Sequence, residues 1–212
     1  MNRRLLASLM SLVVGLGSNV GYAAFVDDSQ LRIAGIVLKW VRGEKETNFS
    51  RFEPLVRRAA RKGAEVVCST ECFLDGYAID DKSIPLPEFR ALGESIPEGP
   101  YFVRLQQLAD QLDIYLIVGV LERDGNKLHN TAAIIDPNGE LVGKYRKQFL
   151  EHEAVRITAG TESSVFETVF GKAGVMICAD RRKRELVERF CVGGAELLFC
   201  PSGGMFGPKK ND

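Results

Sequence analysis

The sequence has few of the residues from which metal centres are built. Its 212 residues include only two histidines, His129 and His152, and five cysteines, none of which form a C-x-x-C pair. Structural zinc sites usually depend on such clusters of histidine and cysteine. The sequence therefore gives little support for a metal site.

The chain also lacks net charge. It carries 28 basic and 28 acidic side chains, so its formal net charge is zero, and 45% of its residues are hydrophobic. Binding to nucleic acid relies on clustered lysine and arginine, which neutralise phosphates. We therefore expect no nucleic-acid partner, and a small molecule or another protein is favoured. The composition is that of one globular domain with a sizeable core.

A hydrophobic run long enough to span a membrane is missing as well. The first residues, "MNRRLLASLMSLVVGLGSNVGYAA", combine a basic start, an apolar stretch from Leu5 to about Leu16 and a small-residue end suited to cleavage after Ala23 or Ala24. A spanning helix needs roughly 20 apolar residues, which disfavours the alternative of a membrane anchor. We predict that residues 1–24 are a secretory signal peptide and that residues 25–212 are exported to the periplasm or the extracellular space, with no membrane contact after cleavage.

The cysteine count argues against a disulfide scaffold. Five is odd, so at least one thiol is unpaired unless it bonds another chain, and a domain of this size seldom needs disulfides. Cys68 and Cys72 alternate with apolar residues near a strand end, which favours buried small hydrophobic residues. The cysteines are Cys68, Cys72, Cys178, Cys191 and Cys200.

The first half of the domain has the pattern of an α/β fold. "LRIAGIVLKW", Leu31 to Trp40, is a short apolar run typical of a buried strand. Apolar residues then recur at helical spacing from Phe49 to Ala60, and "AEVVCST" returns to strand character. Strand, helix and strand in this order predict a βαβ unit.

The second half alternates helices with hairpins. "GPYFVRLQQLADQLD" predicts an amphipathic helix, and Asp-Gly and Asn-Gly turns divide the following segment into three hairpin strands. "SSVFETVFGKAGVMIC" predicts two further strands, "DRRKRELVERFCVGGA" a helix and "ELLFCPS" a strand. The basic run after Cys178 is most simply the solvated face of that helix.

Three chemically useful residues stand at predicted strand ends. Glu71, Lys147 and Cys178 could serve as base, cation and nucleophile, because a cysteine nucleophile needs its proton removed and the resulting oxyanion stabilised. Taken singly, each also fits a structural reading, as an exposed loop residue or, for the cysteine, a small core residue. Nothing in the spacing directs either histidine at Cys178.

Three ordered motifs resemble one known family. "AEVVCSTECFLDGY", "LVGKYRKQFL" and "GVMICADRRKRELVERFCVGGAELLFCPSGG" look like the signature regions of the nitrilase or carbon-nitrogen hydrolase superfamily. The resemblance runs from about Leu31 to the last residue. It implies an α/β fold, the nitrilase-like α-β-β-α sandwich, which assembles as a homodimer or higher homo-oligomer. Family members continue beyond "PSGGMFGPKKND", so we expect the C-terminal strands to be missing and the domain to be incomplete.

The resemblance also implies residue roles. Glu71 would be the general base, Lys147 the cation that stabilises the tetrahedral intermediate, and Cys178 the nucleophile. Glu153, with Glu151 behind it, is the nearest match to a second glutamate found in many members, and the backbone N–H of Ala179 could serve the oxyanion. The implied substrates are amides, N-carbamoyl compounds or nitriles, which are hydrolysed through a thioester with release of ammonia or an amine, and neither metal nor organic cofactor is needed.

Two other functions stay open at this point. The first is a catalytically inactive binding or scaffold protein with the same fold, which would keep ligand binding after a Cys178→Ala substitution. The second is a secreted thiol protein with a redox role, which the spacing of Cys68 and Cys72 supports only weakly.

Overall fold

The computed structural model describes residues 30–203. The predicted signal peptide lies outside this range. Within the range, no helix is both long and apolar enough to cross a membrane.

A five-stranded sheet forms the first half of the described chain. Its strands stand in sequence order, β1-β2-β3-β4-β5, with parallel pairing from β1 to β3 and antiparallel pairing from β3 to β5. The parallel part is the predicted βαβ unit, and the antiparallel part contains the predicted hairpins. The strands are Ile33–Gly35, Val66–Cys68, Tyr115–Asp124, Lys127–Ile135 and Leu141–Arg146.

Helices cover one face of this sheet. α1 (Lys45–Arg61) and α3 (Pro100–Leu112) each turn one apolar stripe inward, because their apolar residues recur every three or four positions. α2 (Leu86–Ala91) is a short helix in the proline-rich connection. The buried side chains between the helices and the sheet include Phe49, Phe52, Val56, Phe102, Leu105, Leu116, Val118 and Val120.

A second, three-stranded sheet packs against the other face. It consists of β6 (Val165–Thr168), β7 (Gly171–Val175) and β8 (Leu197–Phe199). Side chains of both sheets form one apolar cluster, which includes Ile117, Ala132, Ile134, Tyr145, Ala173, Val175, Ile177 and Phe199. α4 (Arg184–Val192) packs on the second sheet, since Phe190 lies against Gly174 of β7. The helix, sheet, sheet, helix order agrees with the expected sandwich.

Two local expectations were wrong. The strand predicted over Leu31–Trp40 is shorter, because only Ile33–Gly35 pairs with β2. Most of the basic run after Cys178 lies outside α4: residues Cys178–Arg182 form a 3₁₀ turn, and α4 begins only at Arg184, the last residue of the run. The Asp180 carboxylate accepts the Ile177 N–H at 3.0 Å and closes this tight turn, so the regular helix starts later.

Candidate active site

Glu71 lies in the loop after β2 and its carboxylate is fully buried, with 0% exposure. Its Oε1 atom accepts hydrogen bonds from Asn130 Nδ2 at 2.7 Å and Lys147 Nζ at 2.9 Å. Its Oε2 atom accepts the Gly203 N–H at 3.0 Å. The carboxylate is therefore held by donors from three separate parts of the chain.

Lys147 follows β5 and points its ammonium group between two carboxylates. Its Nζ atom lies 2.9 Å from Glu71 Oε1 and 2.5 Å from Glu153 Oε1, and all three side chains are at most 2% exposed. Its backbone N–H donates to the Asn130 carbonyl at 2.8 Å, which fixes the point from which the side chain projects. The structure thus brings the side chains of Glu71, Lys147 and Glu153 into contact.

Glu153 lies in a 3₁₀ turn, His152–Val155, and has its own support. Its Oε1 atom accepts the Tyr77 hydroxyl at 2.8 Å, and its Oε2 atom accepts the Glu151 N–H at 3.3 Å. Glu151 itself is exposed and pairs with Arg182. Of the two glutamates considered from the sequence, Glu153 is therefore the one in the buried cluster.

The three charges of this cluster differ in their protonation tendencies. Burial raises the pKa of Glu71, and the adjacent Lys147 ammonium only partly offsets that effect. Burial disfavours the Lys147 ammonium, but its two carboxylate neighbours outweigh burial and raise its pKa. Burial also acts on Glu153, yet the Lys147 ammonium and the Tyr77 hydroxyl hold its pKa below the usual range. Glu153 therefore favours the ionised form and acts as the counter-ion of Lys147, whereas Glu71 accepts a proton more readily.

Cys178 lies just beyond β7, at the start of the 3₁₀ turn. Its backbone N–H donates to the Pro201 carbonyl at 3.0 Å, and its φ angle of 44° is left-handed, which is uncommon for a residue with a side chain. Its Sγ atom is 4.0 Å from the Gly203 carbonyl oxygen, and the N–H of the same glycine binds Glu71. Gly203 therefore joins the cysteine to the buried charge cluster.

The turn after the nucleophile candidate places two further residues beside it. Ala179 is buried, at 3% exposure, directly after Cys178. The Arg181 guanidinium Nη1 lies 2.6 Å from the Cys178 carbonyl oxygen and 3.6 Å from its Sγ atom. Residues three apart in a 3₁₀ turn lie above one another, which explains this contact. At least one member of the basic run is thus next to the sulfur rather than simply solvated.

Asp180 ties the cysteine turn to the lysine segment. Its buried carboxylate accepts the Tyr145 hydroxyl at 2.8 Å, the Phe149 N–H at 2.7 Å and the Ile177 N–H at 3.0 Å. Tyr145 and Phe149 lie two residues before and after Lys147 in the sequence. One carboxylate therefore fixes the position of Lys147 relative to Cys178.

Sequence reasoning missed several supporting residues. Asn130, Tyr77 and Asp180 complete the hydrogen bonding of the cluster, and Gly203 closes it. Tyr77 and Asp180 lie inside the quoted motifs, so the sequence could have indicated that they belong near the site. Asn130 stands in a hairpin strand next to His129 and has no such signal.

The other cysteines behave as buried small residues or lie at the surface. None of the five, all of which fall within residues 30–203, forms a disulfide. Burial raises the pKa of Cys68 to about 12 and also raises the pKa of the fully buried Cys72, so both thiols stay protonated near neutral pH. Within the same range no cluster of side chains has the make-up of a metal site.

Comparison with known proteins identifies one family. The family model described as carbon-nitrogen hydrolase matches residues 30–210. An omega-amidase NIT2 from Xenopus tropicalis is 38% identical over 168 residues, which cover 74% of this chain and 58% of that protein. A nitrilase from Pyrococcus abyssi is 32% identical over 161 residues, which cover 75% of this chain and 60% of that protein. The chain thus spans about three fifths of the length of these curated relatives.

Solved structures share the fold. A carbon-nitrogen hydrolase from Helicobacter pylori G27 superposes with a TM-score of 0.73 at 26% identity, over 84% of this chain and 62% of that one. Saccharomyces cerevisiae Nit3, of the nitrilase superfamily, superposes with a TM-score of 0.70 at 28% identity, over 85% of this chain and 66% of that one. The fold of the described chain is therefore one already known from experimental structures.

Proposed function

The chain belongs to the carbon-nitrogen hydrolase family, and from this premise we propose that the protein hydrolyses a non-peptide carbon–nitrogen bond with Cys178 as the nucleophile. The observation that carries the proposal is the buried Glu71–Lys147–Glu153 cluster, which Gly203 links to the Cys178 sulfur. A buried ammonium between two carboxylates costs desolvation energy, so a cluster of this kind that is linked through Gly203 to a cysteine at a strand end favours a catalytic role.

The opposite pKa shifts of the two glutamates support different roles for them in the proposed reaction. Glu153 stays ionised and holds the Lys147 ammonium in place. Glu71, with its raised pKa, is suited to take a proton and return it. Lys147 keeps its proton and can therefore donate a hydrogen bond to a developing oxyanion throughout the reaction.

The proposed reaction has two halves. In the first, Glu71 accepts the Cys178 thiol proton while the sulfur attacks the substrate carbon, and Lys147 Nζ and the Ala179 N–H stabilise the oxyanion that forms. The C–N bond then breaks as Glu71 passes the proton to the leaving nitrogen, which gives ammonia or an amine and a Cys178 thioester. In the second half, Glu71 takes a proton from water and the resulting hydroxide attacks the thioester. The C–S bond then breaks as Glu71 returns the proton to the Cys178 sulfur, which releases the carboxylic acid and restores the thiol.

Amides are the substrate class that we favour over nitriles and N-carbamoyl compounds. The support is that several of the matched relatives are named omega-amidases, at 33 to 38% identity. We therefore propose an amide as the substrate, and a small primary amide would release ammonia on hydrolysis.

Ammonia release from a panel of small primary amides, nitriles and N-carbamoyl amino acids tests this proposal. We expect release from at least one amide by the full chain and at least about a thousandfold slower release by Cys178→Ser and Glu71→Gln. Cys191→Ser is the matched control, because Cys191 is an exposed cysteine on α4. No turnover by the unaltered chain, or equal turnover by Cys178→Ser, would contradict the proposal and favour an inactive binding protein.

Export is a separate proposal, supported by the first 24 residues of the sequence alone. Expression of the full reading frame in a bacterium with a periplasm should give a secreted form whose mass corresponds to cleavage after Ala23 or Ala24. A cell-retained protein with an intact N-terminus would contradict it.

A further inference from the structure

Asn130 lies on β4 beside the buried cluster and is only 1% exposed. Resting on the proposed function, we propose that Asn130 is a positioning residue that determines which oxygen of Glu71 receives the nucleophile's proton. Neither the motifs nor the family comparison assigns it this role.

The hydrogen bonds of Glu71 distinguish its two oxygens. A carboxylate oxygen offers about two lone pairs. Oε1 accepts both Asn130 Nδ2 and Lys147 Nζ, so its lone pairs are occupied. Among the described residues, Oε2 accepts one donor, the Gly203 N–H, so one lone pair stays open.

The open oxygen is also the one linked to the cysteine. The Gly203 carbonyl oxygen is 4.0 Å from Cys178 Sγ, while the N–H of that residue binds Oε2. If the Asn130 amide did not occupy Oε1, the carboxylate could rotate and share its donors differently between the two oxygens. Asn130 thus keeps Oε2 as the proton acceptor.

Chemistry fixes which way the Asn130 amide points. An ionised carboxylate only accepts hydrogen bonds, so the NH₂ end must face Glu71. The Oδ1 end then accepts the Cys72 thiol at 3.3 Å. Because burial raises the pKa of Cys72, that thiol stays protonated and remains a donor. A cysteine that looked like simple core filling therefore orients the amide.

The main chain of Asn130 contributes a second constraint. Its carbonyl accepts the Lys147 N–H at 2.8 Å. One residue of β4 thus fixes both the Glu71 side chain and the backbone of Lys147. Substitution of the side chain removes only the first of these constraints, which makes it possible to test the two separately.

Removal of the Asn130 side-chain amide should shift the pKa of Glu71 in a direction that can be measured. The Asn130 N–H favours the charged form of Glu71, so its removal raises the pKa of Glu71 further. The charged or titratable groups that act on Glu71 or share its hydrogen-bond network are Lys147, Glu153, Tyr77 and Cys72, and they stay in place. The pH at which Glu71 begins to accept a proton from Cys178 should therefore rise.

The test follows the pH dependence of Cys178 alkylation by iodoacetamide in the full chain, read as the mass of the Cys178 peptide. The alkylation rate should rise with pH as Glu71 loses its proton and becomes able to act as a base. Glu71→Gln should remove this limb of the pH profile. Asn130→Ala should move that limb upward by about one pH unit, which corresponds to about tenfold slower alkylation on its acid side. Thr131→Val is the matched control: the Thr131 hydroxyl is also buried on β4 and donates to a carboxylate, Glu122, at 2.6 Å, away from Glu71.

The outcomes distinguish failure of the base role of Glu71 from failure of the positioning role of Asn130. If Glu71→Gln leaves the profile unchanged, the base role of Glu71 fails, and the proposed function with it. If Glu71→Gln removes the limb but Asn130→Ala leaves it in place, or if Thr131→Val moves it equally, the positioning role is overturned. Should Asn130→Ala fail to fold, Cys72→Ala carries the test: it should shift the limb in the same direction by a smaller amount, and an unchanged limb would overturn the role.

Discussion

At the scale of single residues, the central feature is an ammonium group that two carboxylates share in the protein interior. Lys147, Glu71 and Glu153 are at most 2% exposed. Taking ions out of water is unfavourable, and only mutual attraction together with further hydrogen bonds offsets that cost. The Asn130, Tyr77 and Gly203 donors supply those bonds, so the cluster is stable only as a unit.

Lys147→Met should therefore destabilise the protein strongly, because it leaves two unpaired carboxylates in the core. We expect a loss of about 3–5 kcal/mol in the free energy of unfolding near neutral pH. Without the ammonium, the folded-state pKa values of both carboxylates lie above their unfolded values, so the folded state binds more protons. Stability should fall as pH rises from about 4.5 to neutral and recover on acidification.

Denaturant unfolding at several pH values measures this effect. Lys172→Met is the control, because Lys172 pairs with Glu167 at 3.2 Å on the surface, where both side chains are well exposed. The Lys172→Met substitution should lower the free energy of unfolding by at most about 1 kcal/mol. A Lys147→Met protein as stable as this control, or one that gains stability as pH rises, would refute the ionised cluster.

Residue chemistry was only partly predictable from the sequence. Glu71, Lys147 and Cys178 stand in recognisable motifs at strand ends, and the same resemblance indicated Glu153. Asn130 could not be predicted, because its bond to Glu71 joins residues 59 positions apart and depends on the register between β3 and β4. Local patterns contain no information on such a contact.

At the scale of elements, the loop that carries Glu71 lies directly on β3. A Cβ atom at Gly119 would come within 2.6 Å of the Thr70 carbonyl oxygen and 2.9 Å of the Glu71 Cα atom. These are main-chain contacts, which cannot rotate away. The absence of a side chain at Gly119 therefore sets how closely the Glu71 loop approaches the sheet.

Gly119→Ala should displace this loop and impair both catalysis and folding. We expect kcat/KM to fall by about tenfold to a hundredfold, since small misplacement of a catalytic group has effects of this size, with a loss of stability of about 1–3 kcal/mol. Gly35→Ala is the matched control, because a Cβ atom at this strand glycine meets nothing within 4 Å. Equal activity of the two variants would show that Glu71 tolerates the shift.

The elements themselves differed in predictability. The helices and hairpins followed from apolar spacing and turn residues, because these depend on neighbours in the sequence. The 3₁₀ turn Cys178–Arg182 did not, because the buried Asp180 carboxylate shapes it through contacts with Tyr145 and Phe149 of another segment. Helical spacing alone assigned those residues to α4.

At the scale of the whole molecule, acid stability depends on a second buried carboxylate on the other side of the first sheet. Glu122 accepts hydrogen bonds from Arg146, Lys144 and Thr131. Burial would raise its pKa, but these donors together lower it to about 2. The pKa of Glu122 is lower in the folded protein than in the unfolded chain, where it is about 4.5. Ionised Glu122 therefore stabilises the protein at pH values above 4.5, and this contribution is lost as pH falls towards 2.

Glu122→Gln should therefore be less stable than the unaltered protein near neutral pH by a few kcal/mol, on the order of the full linkage contribution. This difference should shrink as pH falls below about 4.5. Urea unfolding of both proteins from pH 7 to pH 3 measures it, with the exposed Glu167→Gln as control. A difference that does not change with pH would contradict the charged network.

The layered fold was predictable to the level of the family. The βαβ unit, the hairpins and the three ordered motifs together indicated the sandwich, and the two packed sheets confirm it. The pairing of β7 with β8 and the approach of Gly203 to Glu71, 132 positions away, depend on the complete assembly. Such contacts between residues far apart in the sequence form only in the folded chain, so no single segment of the sequence indicates them.

The most direct test of the central claim is to look for the covalent intermediate on Cys178. Rapid acid quenching of the protein during turnover of a small amide, followed by peptide mass analysis, should find the acyl group of that amide on Cys178, with ammonia released in equal amount to the acyl group in the first turnover. Cys178→Ala should show neither product. Ammonia release without acylation of Cys178, or an acyl group on a different residue, would contradict the account.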